Sequence, residues 1–335
     1  MRNLSSACLG IIAVCFYCKC NAQVPNKQFV WGINGHPLTQ TAYYNNVDDQ
    51  IHQINDLGLK SYRFDVLLDS NGYAKKDQLF NQLLGKLKAN QITALPVLMQ
   101  SGLKGLDNTS VYKKSYLQGQ NFAARYGKYL SVLEVNNEAD NKMMLPGDPS
   151  GTKKGDYNTE KSQKIIASIK GFIDGLKSTN STIKVTLSVS YKHYYYLQLL
   201  KDNNVNYDII GCHWYSNMGP IGAAKPHGDN VLDEFKTRFN KPVWVTEFNQ
   251  SKGTGKVSFQ KQNKYITESI PDLISRGVTG LFIYELYDQP ALKEKDLNEA
   301  FYGLVFKDDS GKYVTKDAYQ SFRQIIQNSA RSLKK

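Results

Sequence analysis

Two glutamates, Glu138 and Glu247, each follow a short apolar run and carry the side chain needed for acid/base or nucleophilic chemistry. Two carboxyls that face each other can share the cleavage of a glycosidic bond, because one protonates the leaving oxygen while the other attacks the anomeric carbon. These roles require different protonation states. We expect Arg63 to keep Glu247 ionised, and partial desolvation to keep Glu138 protonated near neutral pH. This pair is the predicted catalytic set.

Further polar and aromatic residues stand at the ends of other apolar runs, where burial is costly unless a side chain is paired or takes part in chemistry. Those predicted to bind substrate are Asn34, His36, Arg63, Asn137, His213, Trp214, Tyr215 and Tyr284. For His36, a structural hydrogen bond to a neighbouring loop is nearly as well supported. Glu285 and Asp288 are left out of the catalytic set, because Glu285 can simply pair with a basic neighbour.

The elements that must position these residues alternate between short apolar runs and longer runs with helical spacing. The predicted strands are 29–33, 61–66, 94–99, 131–135, 184–189, 208–213, 243–246 and 280–284. The predicted helices are 47–57, 78–89, 163–176, 231–239, 260–275 and 318–327. Eight such repeats predict an α/β fold, a single-domain (β/α)8 or TIM barrel, whose active site lies where the strands end. The alternative is a doubly wound open sheet for nucleotide binding, but residues 32–36 do not supply its Gly-rich turn.

Three segments between these elements are long, about 100–114, 141–159 and 217–229. They follow the third, fourth and sixth strands, so they predict walls on the rim and an open groove. Aromatic residues that could stack on sugar rings lie nearby, among them Tyr191, Tyr215 and Tyr287. For Tyr194 to Tyr196, packing beneath a helix is equally open, because three successive side chains cannot face one way.

Residues 1–22 are typical of a cleavable signal peptide, with Arg2 before an apolar stretch and Ala22 before the expected cut. The apolar stretch has about fourteen residues, fewer than the roughly twenty that span a bilayer. We therefore expect residues 23–335 to form the mature catalytic domain, secreted or periplasmic, with a lipid-anchored form less favoured. Four of the five cysteines lie before residue 23, which leaves Cys212 alone in the mature chain and predicts no disulfide.

The composition excludes several classes of protein. The whole chain has a formal net charge of +12, and without residues 1–22 it has 40 basic and 30 acidic residues, a net of +10. The lysines are scattered and interrupted by acidic residues, whereas a nucleic-acid surface is usually clustered. The five histidines show no metal-ligand spacing and Cys212 lies in an apolar run, so we expect no metal, no cofactor and no thiol chemistry. The expected partner is an oligosaccharide or polysaccharide, and the expected state is a monomer.

Four sequence runs together resemble the retaining glycoside hydrolases of clan A. They are YRFDV at 62–66, VLEVNNEAD at 132–140, HWYS at 213–216 and WVTEFN at 244–249, and the closing segment from Phe301 is also similar. The resemblance covers nearly the whole mature chain. One position departs from it: many members have Trp at the end of the eighth strand, where this sequence has Tyr284. This departure leaves open which family of the clan the chain resembles and which residue lies under the sugar.

The resemblance implies a role for several positions. Glu138 would be the general acid/base and Glu247 the nucleophile, Asn137 would bind the substrate 2-hydroxyl, and Tyr215 would touch the nucleophile. Arg63 would be the charge partner of Glu247. The expected function is a secreted retaining glycoside hydrolase that cleaves within a polysaccharide. The alternatives are an inactive barrel that only binds carbohydrate and, less favoured, a basic nucleic-acid-binding protein.

Overall fold

The fold is a closed barrel of eight parallel strands, seen in a computed structural model that describes residues 29–332. The strands pair in chain order, and the first also pairs with the last. They are β1 (Val30–Gly35), β2 (Ser61–Leu67), β3 (Thr93–Met99), β4 (Val132–Val135), β5 (Lys184–Ser190), β6 (Ile209–Tyr215), β7 (Val243–Asn249) and β8 (Gly280–Ile283). The predicted (β/α)8 barrel is confirmed, and the predicted signal peptide lies outside the described residues.

Helices surround the barrel, and a small antiparallel hairpin follows its last strand. The helices are α1 (Val47–Asp56), α2 (Asp77–Ala89), α3 (Asn108–Tyr126), α4 (Ala139–Met143), α5 (Thr159–Thr179), α6 (Tyr194–Asp202), α7 (Val231–Phe239), α8 (Phe259–Ser275) and α9 (Asp317–Ser332). The hairpin consists of β9 (Val305–Lys307) and β10 (Tyr313–Thr315). Between residues 29 and 332, no helix combines the length and apolar character that crossing a membrane requires.

Helix α3 corrects the sequence analysis, which treated 100–114 as a loop. The helix begins at Asn108, and the carboxylate of its N-cap Asp107 accepts a hydrogen bond from the Ser110 amide. Its apolar pattern is weak because part of its buried face is made of small or polar residues that pack on α5. A Cβ placed on Gly119 would lie 2.1 Å from the backbone oxygen of Phe172. Only the part of this segment before Asn108 remains a loop.

Helix α6 was also not expected, and it settles the position of the tyrosine run. Tyr194 and Tyr196 are buried, whereas Tyr195 is half-buried with its ring 5.6 Å from that of Tyr157. These side chains therefore pack around α6, which was one of the two interpretations left open by the sequence.

A layer of apolar side chains fills the barrel interior below the polar residues. It contains Leu95, Val132, Ile209 and Phe282, one from each of four strands. Phe282 fits because β1 has a glycine beside it: a Cβ on Gly32 would lie 2.2 Å from the Phe282 ring. Side chains alternate along a strand, so residues two positions further on point inward one layer higher. This apolar floor carries the polar site described next.

Candidate active site

The two predicted catalytic glutamates lie together at the end of the barrel where the strands terminate. One carboxylate oxygen from Glu138, one from Glu247 and a ring nitrogen of His213 all lie within 4.8 Å of one another. The three residues come from the ends of β4, β7 and β6. Glu247 is 7% exposed, and the side chain of Glu138 is 33% exposed. A buried carboxylate and a partly open one therefore face a common space.

An irregularity in β7 aims Glu247 at this space. Trp244 packs inside the barrel against Phe282, and the hydroxyl of Thr246 lies beside Gly211, so both face inward. Regular alternation would then turn Glu247 outward. The register with β6 shifts instead, since Val245 pairs with Cys212 and Glu247 pairs with the next residue, leaving Thr246 as the extra residue of a bulge. The bulge brings Glu247 inward, opposite His213.

Arg63, from β2, connects the residues of the site. Its Nη1 donates to Glu247 Oε1 at 2.8 Å and to Asn34 Oδ1 at 2.7 Å. Its Nη2 donates to Asn137 Oδ1 at 2.8 Å. The side chain is 4% exposed, so these contacts form in a largely dry interior. Arg63 holds the Glu247 carboxylate and the Asn137 amide in fixed positions.

Glu134 is a partner of Arg63 that the sequence analysis missed. Its two carboxylate oxygens accept from Arg63 Nε at 2.9 Å and Nη2 at 2.8 Å, and the side chain is fully buried. The signal was present in the sequence, because a charged residue inside the apolar run 131–135 must be paired to be buried. Glu134 balances the guanidinium charge, so Arg63 and Glu247 do not form an isolated pair.

The protonation of Glu138 differs from the expectation. Burial raises the pKa of this carboxyl. The opposing effects are larger: a hydrogen bond from His213 Nδ1 at 2.8 Å, the charge of a protonated His213 and the nearby Arg63 all lower this pKa. The resulting pKa of Glu138 is about 2, so it is ionised near neutral pH in this structure. The prediction of a protonated Glu138 is therefore wrong for the unliganded site, because desolvation was considered without the imidazole.

His213 is fully buried between these groups. Arg63 Nη2 lies 3.3 Å from its Nε2 and can only donate, so in the neutral imidazole Nε2 is the acceptor and Nδ1 carries the proton donated to Glu138. Burial lowers the pKa of His213, but the charge of Glu247 and the contact with Glu138 raise it overall. The imidazole thus couples the two glutamates electrostatically.

The backbone around Glu138 is held in an unusual conformation. Glu138 has φ 44° and ψ 49°, in the left-handed region that few non-glycine residues adopt. Its amide donates to Ser188 Oγ at 2.9 Å, and Asn141 donates to its Oε2 at 3.0 Å. These contacts fix the carboxylate at the start of α4 with one edge toward His213 and the other toward Asn141.

A second polar group lies where β1, β2 and β8 meet. His36 Nδ1 lies 2.6 Å from Asp65 Oδ2, and its Nε2 lies 3.4 Å from Glu285 Oε2. Burial lowers the pKa of His36, but Asp65 and Glu285 raise it to about 9. Burial raises the pKa of Glu285 to about 8, although Tyr43 donates to it at 2.6 Å. His36 therefore makes structural hydrogen bonds, one of the two roles that the sequence left open for it. The side chain of its partner Asp65 is 28% exposed at the rim of the barrel.

Tyrosines form the wall beside Glu247. Tyr215 Oη donates to Glu247 Oε2 at 2.8 Å, the contact expected from the resemblance. Tyr284 is half-buried, donates to Glu299 Oε2 at 3.0 Å, and packs edge-on against Tyr302 with ring centroids 5.6 Å apart. The hydroxyl of Tyr284 is thus anchored while its ring borders the site.

Two residues expected to bind substrate are engaged elsewhere. Asn34 is 2% exposed, its amide donates to the backbone oxygens of Thr246 and Ile283, and its oxygen accepts from Arg63, so it supports the site from below. Trp214 is 1% exposed and its indole N–H donates to the backbone oxygen of Gly219 at 2.8 Å. Alternation along β6 explains this, because His213 and Tyr215 face inward and the residue between them faces outward.

Glu138, His213 and Glu247 are also a set of side chains that could ligate a metal ion. The guanidinium of Arg63 already contacts Glu247 and His213. A metal cation at this place would have to displace or oppose that positive charge. The donor set therefore fits an acid/base site better than a metal site, and the expected absence of a metal stays a prediction.

Comparisons with known proteins show which proteins share the fold of this chain. Residues 163–298 match the family model described as glycosyl hydrolase catalytic core. A β-glucosidase from Thermotoga maritima in complex with noeuromycin has a similar structure, with a TM-score of 0.67 and 15% identity over 91% of this chain and 98% of that chain. The GH1 β-glucosidase from Exiguobacterium antarcticum B7 gives a TM-score of 0.63 and 12% identity over 90% and 98% of the two chains.

The β-glycosidase BGL167 is similar as well, with a TM-score of 0.62 and 15% identity over 90% of this chain and 97% of that chain. No match was found among the curated proteins. At these identities the solved structures establish the shared barrel fold. The family model adds a match of residues 163–298 to the catalytic core of glycosyl hydrolases. Together they confirm the resemblance to the glycoside hydrolases that the sequence motifs indicate.

Proposed function

We propose that the protein is a retaining glycoside hydrolase with Glu247 as nucleophile and Glu138 as general acid/base. The observation that carries the proposal is the short separation of the two carboxylates, which have oxygens within 4.8 Å of each other. Retaining enzymes place their carboxyl groups about 5 Å apart, whereas inverting enzymes leave about 6.5–9.5 Å for a water molecule. The surroundings of each carboxylate support which glutamate acts as nucleophile and which as acid/base.

In the first step, Glu247 attacks the anomeric carbon and the bond to the leaving oxygen breaks. Glu247 suits this role because Arg63 and Tyr215 each bind one of its oxygens and hold it in position. Glu138 supplies a proton to the leaving oxygen, and in the second step it accepts a proton from the water that releases the sugar. Asn137, fixed by Arg63, is placed to bind a hydroxyl of the sugar held between them.

Glu138 must gain a proton before it can act as an acid. In the unliganded site its pKa is about 2, mainly because the contact with His213 outweighs burial. A bound sugar would cover the exposed third of the side chain and exclude water, which raises the pKa of a carboxyl. Substrate binding therefore favours the protonated form of Glu138, which can donate its proton. Because this carboxyl is ionised near neutral pH in the free enzyme, activity should be higher at acidic pH.

The signal-peptide pattern of residues 1–22 and the resemblance to glycoside hydrolases support action outside the cell on polysaccharides. We propose residues 1–22 as a signal peptide and 23–335 as the catalytic domain, and we favour cleavage within the polysaccharide chain. The mass of the N-terminal peptide of the exported protein tests the first point. A chain that begins at or near Gln23 supports the proposal, and an intact N-terminus rejects it.

The reaction is tested with the purified mature protein and a panel of plant, fungal and bacterial polysaccharides, with released oligosaccharides identified by mass. Glu247→Ala should abolish turnover on every substrate while the protein stays folded. Glu138→Ala should retain most activity on an activated aryl glycoside, because that leaving group needs little protonation. Equal losses for both variants on the aryl glycoside would reject the assignment of Glu138. Binding without turnover by the unmodified protein would instead identify a carbohydrate-binding barrel.

A further inference from the structure

Both carboxylate oxygens of Glu138 already accept a hydrogen bond in the unliganded site. Oε1 accepts from His213 Nδ1 at 2.8 Å, and Oε2 accepts from Asn141 Nδ2 at 3.0 Å. A general acid carries its proton on one oxygen and directs it at the leaving oxygen, and an oxygen that carries a proton is a poorer acceptor than a carboxylate oxygen. The proton therefore has to go to the oxygen whose present donor gives way more easily.

Oε1 of Glu138 is not that oxygen. Its partner His213 is fully buried, and Arg63 Nη2 lies 3.3 Å from the Nε2 of this imidazole. Nδ1 therefore carries a hydrogen in the neutral imidazole, and it also carries one in the charged imidazole. A buried N–H group points at Oε1 in both protonation states of His213, so this oxygen remains an acceptor.

Oε2 of Glu138 has a more adaptable partner. Asn141 is an exposed residue of α4, three positions after Glu138, and its Nδ2 also donates to Ser190 Oγ at 3.1 Å. An exposed amide can exchange a hydrogen bond within the protein for one to water at a small cost in free energy. Oε2 is therefore the oxygen that can take up the proton and present it to the leaving oxygen.

The contact with Ser190, the last residue of β5, sets the position of the Asn141 amide. Ser190 is 6% exposed, and its backbone amide donates to Asp140 Oδ2 at 2.7 Å. Asp140 is fully buried, and the same oxygen lies 2.6 Å from His193 Nδ1. The Ser190 hydroxyl is thus carried by a fixed backbone. One hydrogen of the Asn141 amide is held on this hydroxyl, and the other is directed at Glu138 Oε2.

We propose that Asn141 is a positioning residue for Glu138 and makes Oε2 the oxygen from which the proton is donated. The inference rests on the proposed function, because only an acid/base has to release and regain a proton in each turnover. In the first step, the bond between Oε2 and its proton breaks and the proton goes to the leaving oxygen. The negative charge that remains on Glu138 is met by the N–H group of Asn141. In the second step, the attacking water gives a proton to Oε2 as its oxygen bonds to the anomeric carbon.

The contact with Asn141 also affects how readily Glu138 releases its proton. A hydrogen bond donated to a carboxylate favours the ionised form, so the N–H group of Asn141 makes Glu138 a stronger acid. The hydroxyl of Ser190 lowers the pKa of Glu138 as well. A substitution of Asn141 leaves in place the charged or titratable side chains that face Glu138 from other strands. They are His213 on β6, Arg63 on β2 and Glu247 on β7.

The experiment measures kcat/KM against pH for the full mature chain on two glycosides of the sugar that the polysaccharide panel identifies. The phenyl glycoside has a leaving group that needs protonation, and the 2,4-dinitrophenyl glycoside has one that does not. On the phenyl glycoside, Asn141→Ala should lower kcat/KM at the optimum about three- to tenfold, the size expected for one lost hydrogen bond. Its basic limb should move to higher pH by about 0.5–1 unit, because the ionised form of Glu138 loses a donor. On the dinitrophenyl glycoside, kcat/KM should stay within about twofold.

Two further variants separate the hydrogen bond from other effects of the substitution. Asn141→Asp keeps the size of the side chain but supplies no donor and adds a negative charge, so it should move the basic limb further than Asn141→Ala does. Asn328→Ala removes the same amide from an exposed position of α9 and should change neither the rates nor the pH profile. In the Glu138→Ala background, Asn141→Ala should have no further effect, because Asn141 acts through Glu138.

Equal losses on both glycosides would overturn the inference, because Asn141 would then support the shape of the site without acting on the proton of Glu138. A basic limb that stays in place in Asn141→Ala, or a further loss in the Glu138→Ala background, would also overturn it. These results in an active wild-type protein would leave the proposed function intact. A wild-type protein that cleaves no polysaccharide of the panel would reject the proposed function, and the inference with it.

Discussion

At the scale of single residues, the site depends on how one guanidinium and one imidazole distribute charge among three carboxylates. Arg63 contacts Glu134 and Glu247, and His213 contacts Glu138 and lies 3.4 Å from Glu247. The carboxylates would repel one another more strongly without these two partners. Each glutamate therefore has a charged or hydrogen-bonding neighbour that can be replaced separately.

Replacing His213 tests its effect on Glu138. His213→Phe removes the hydrogen bond and the charge that lower the pKa of Glu138, and burial, which raises it, remains. The pKa of Glu138 should rise, and the basic limb of the kcat/KM–pH profile should move to higher pH on substrates that need leaving-group protonation. A profile measured on an activated aryl glycoside is the control and should lack this shift. A basic limb that moves to lower pH would contradict the assignment.

Glu134→Gln should lower both stability and activity. The substitution removes one of the two carboxylates paired with the buried Arg63 and weakens the hydrogen bonds from its Nε and Nη2, so we expect a loss of about 2–4 kcal/mol in the free energy of unfolding. Because Arg63 also holds Glu247 and Asn137, kcat/KM should fall, up to about 100-fold. Urea unfolding and initial rates measure the two effects. Glu160→Gln, at an exposed position of α5, removes the same charge and should change neither.

At the scale of elements, glycines decide how closely α3 and α5 pack. A Cβ on Gly175 would lie 1.9 Å from the backbone oxygen of Tyr116, and one on Gly171 would lie 2.3 Å from that of Tyr112. Such a contact cannot be relieved by rotating a side chain, because both atoms belong to or adjoin the backbone. The two helices must separate if either glycine gains a side chain.

Two glycine-to-alanine substitutions with opposite expected signs test this packing. Gly175→Ala should destabilise the protein by about 1–3 kcal/mol through overpacking. Gly85→Ala, in the middle of α2, has open space around its Cβ and should stabilise it by about 0.5–1 kcal/mol, since alanine favours the helix. Melting temperatures of both variants provide the measurement. A melting temperature for Gly175→Ala at or above that of the wild type would refute the close packing.

The sequence predicted most elements whose buried face is apolar, with α6 as an exception, and it predicted poorly the elements whose buried face is partly polar or small. The strand runs and the helix at 231–239 were found because Val, Ile, Leu and Phe face the core. Helix α3 was missed because Ser115, Gln118 and Gly119 are part of its buried face. The partnership of Arg63 with Glu134 was also missed, since it joins two strands that are distant in sequence. The motifs indicated which residues share the rim, but the protonation of Glu138 depends on distances that no spacing reveals.

At the scale of the whole molecule, the barrel closes between β1 and β8, and a polar group fastens that closure at its upper end. His36 follows β1, Asp65 lies on β2 and Glu285 follows β8. Tyr43, from the segment between β1 and β2, donates to Glu285 at 2.6 Å. The group therefore ties the first two strands to the last one.

This group predicts that stability falls at alkaline pH. The pKa of His36 is raised to about 9 from 6.5, so its contribution is complete below pH 6.5 and is lost as the pH rises through about 9. The pKa of Glu285 is raised to about 8 from 4.5, so the folded state is increasingly penalised as the pH rises between these values. The melting temperature should decrease from pH 6 to pH 9.5. Glu285→Gln should flatten this decrease, and an equally steep decrease in that variant would contradict the explanation.

The extra residue in β7 has a consequence for how this barrel tolerates changes in length. A strand has two faces, so an insertion or deletion of one residue inverts the phase of every side chain beyond it. Thr246 is one residue more than regular alternation allows, so its removal should leave Val245 opposite Cys212 and Glu247 opposite His213, with the carboxylate still facing Arg63. The bulge should therefore make this strand tolerant of the loss of one residue before Glu247, whereas the same deletion in a strand without a bulge would turn the side chains beyond it to the opposite face.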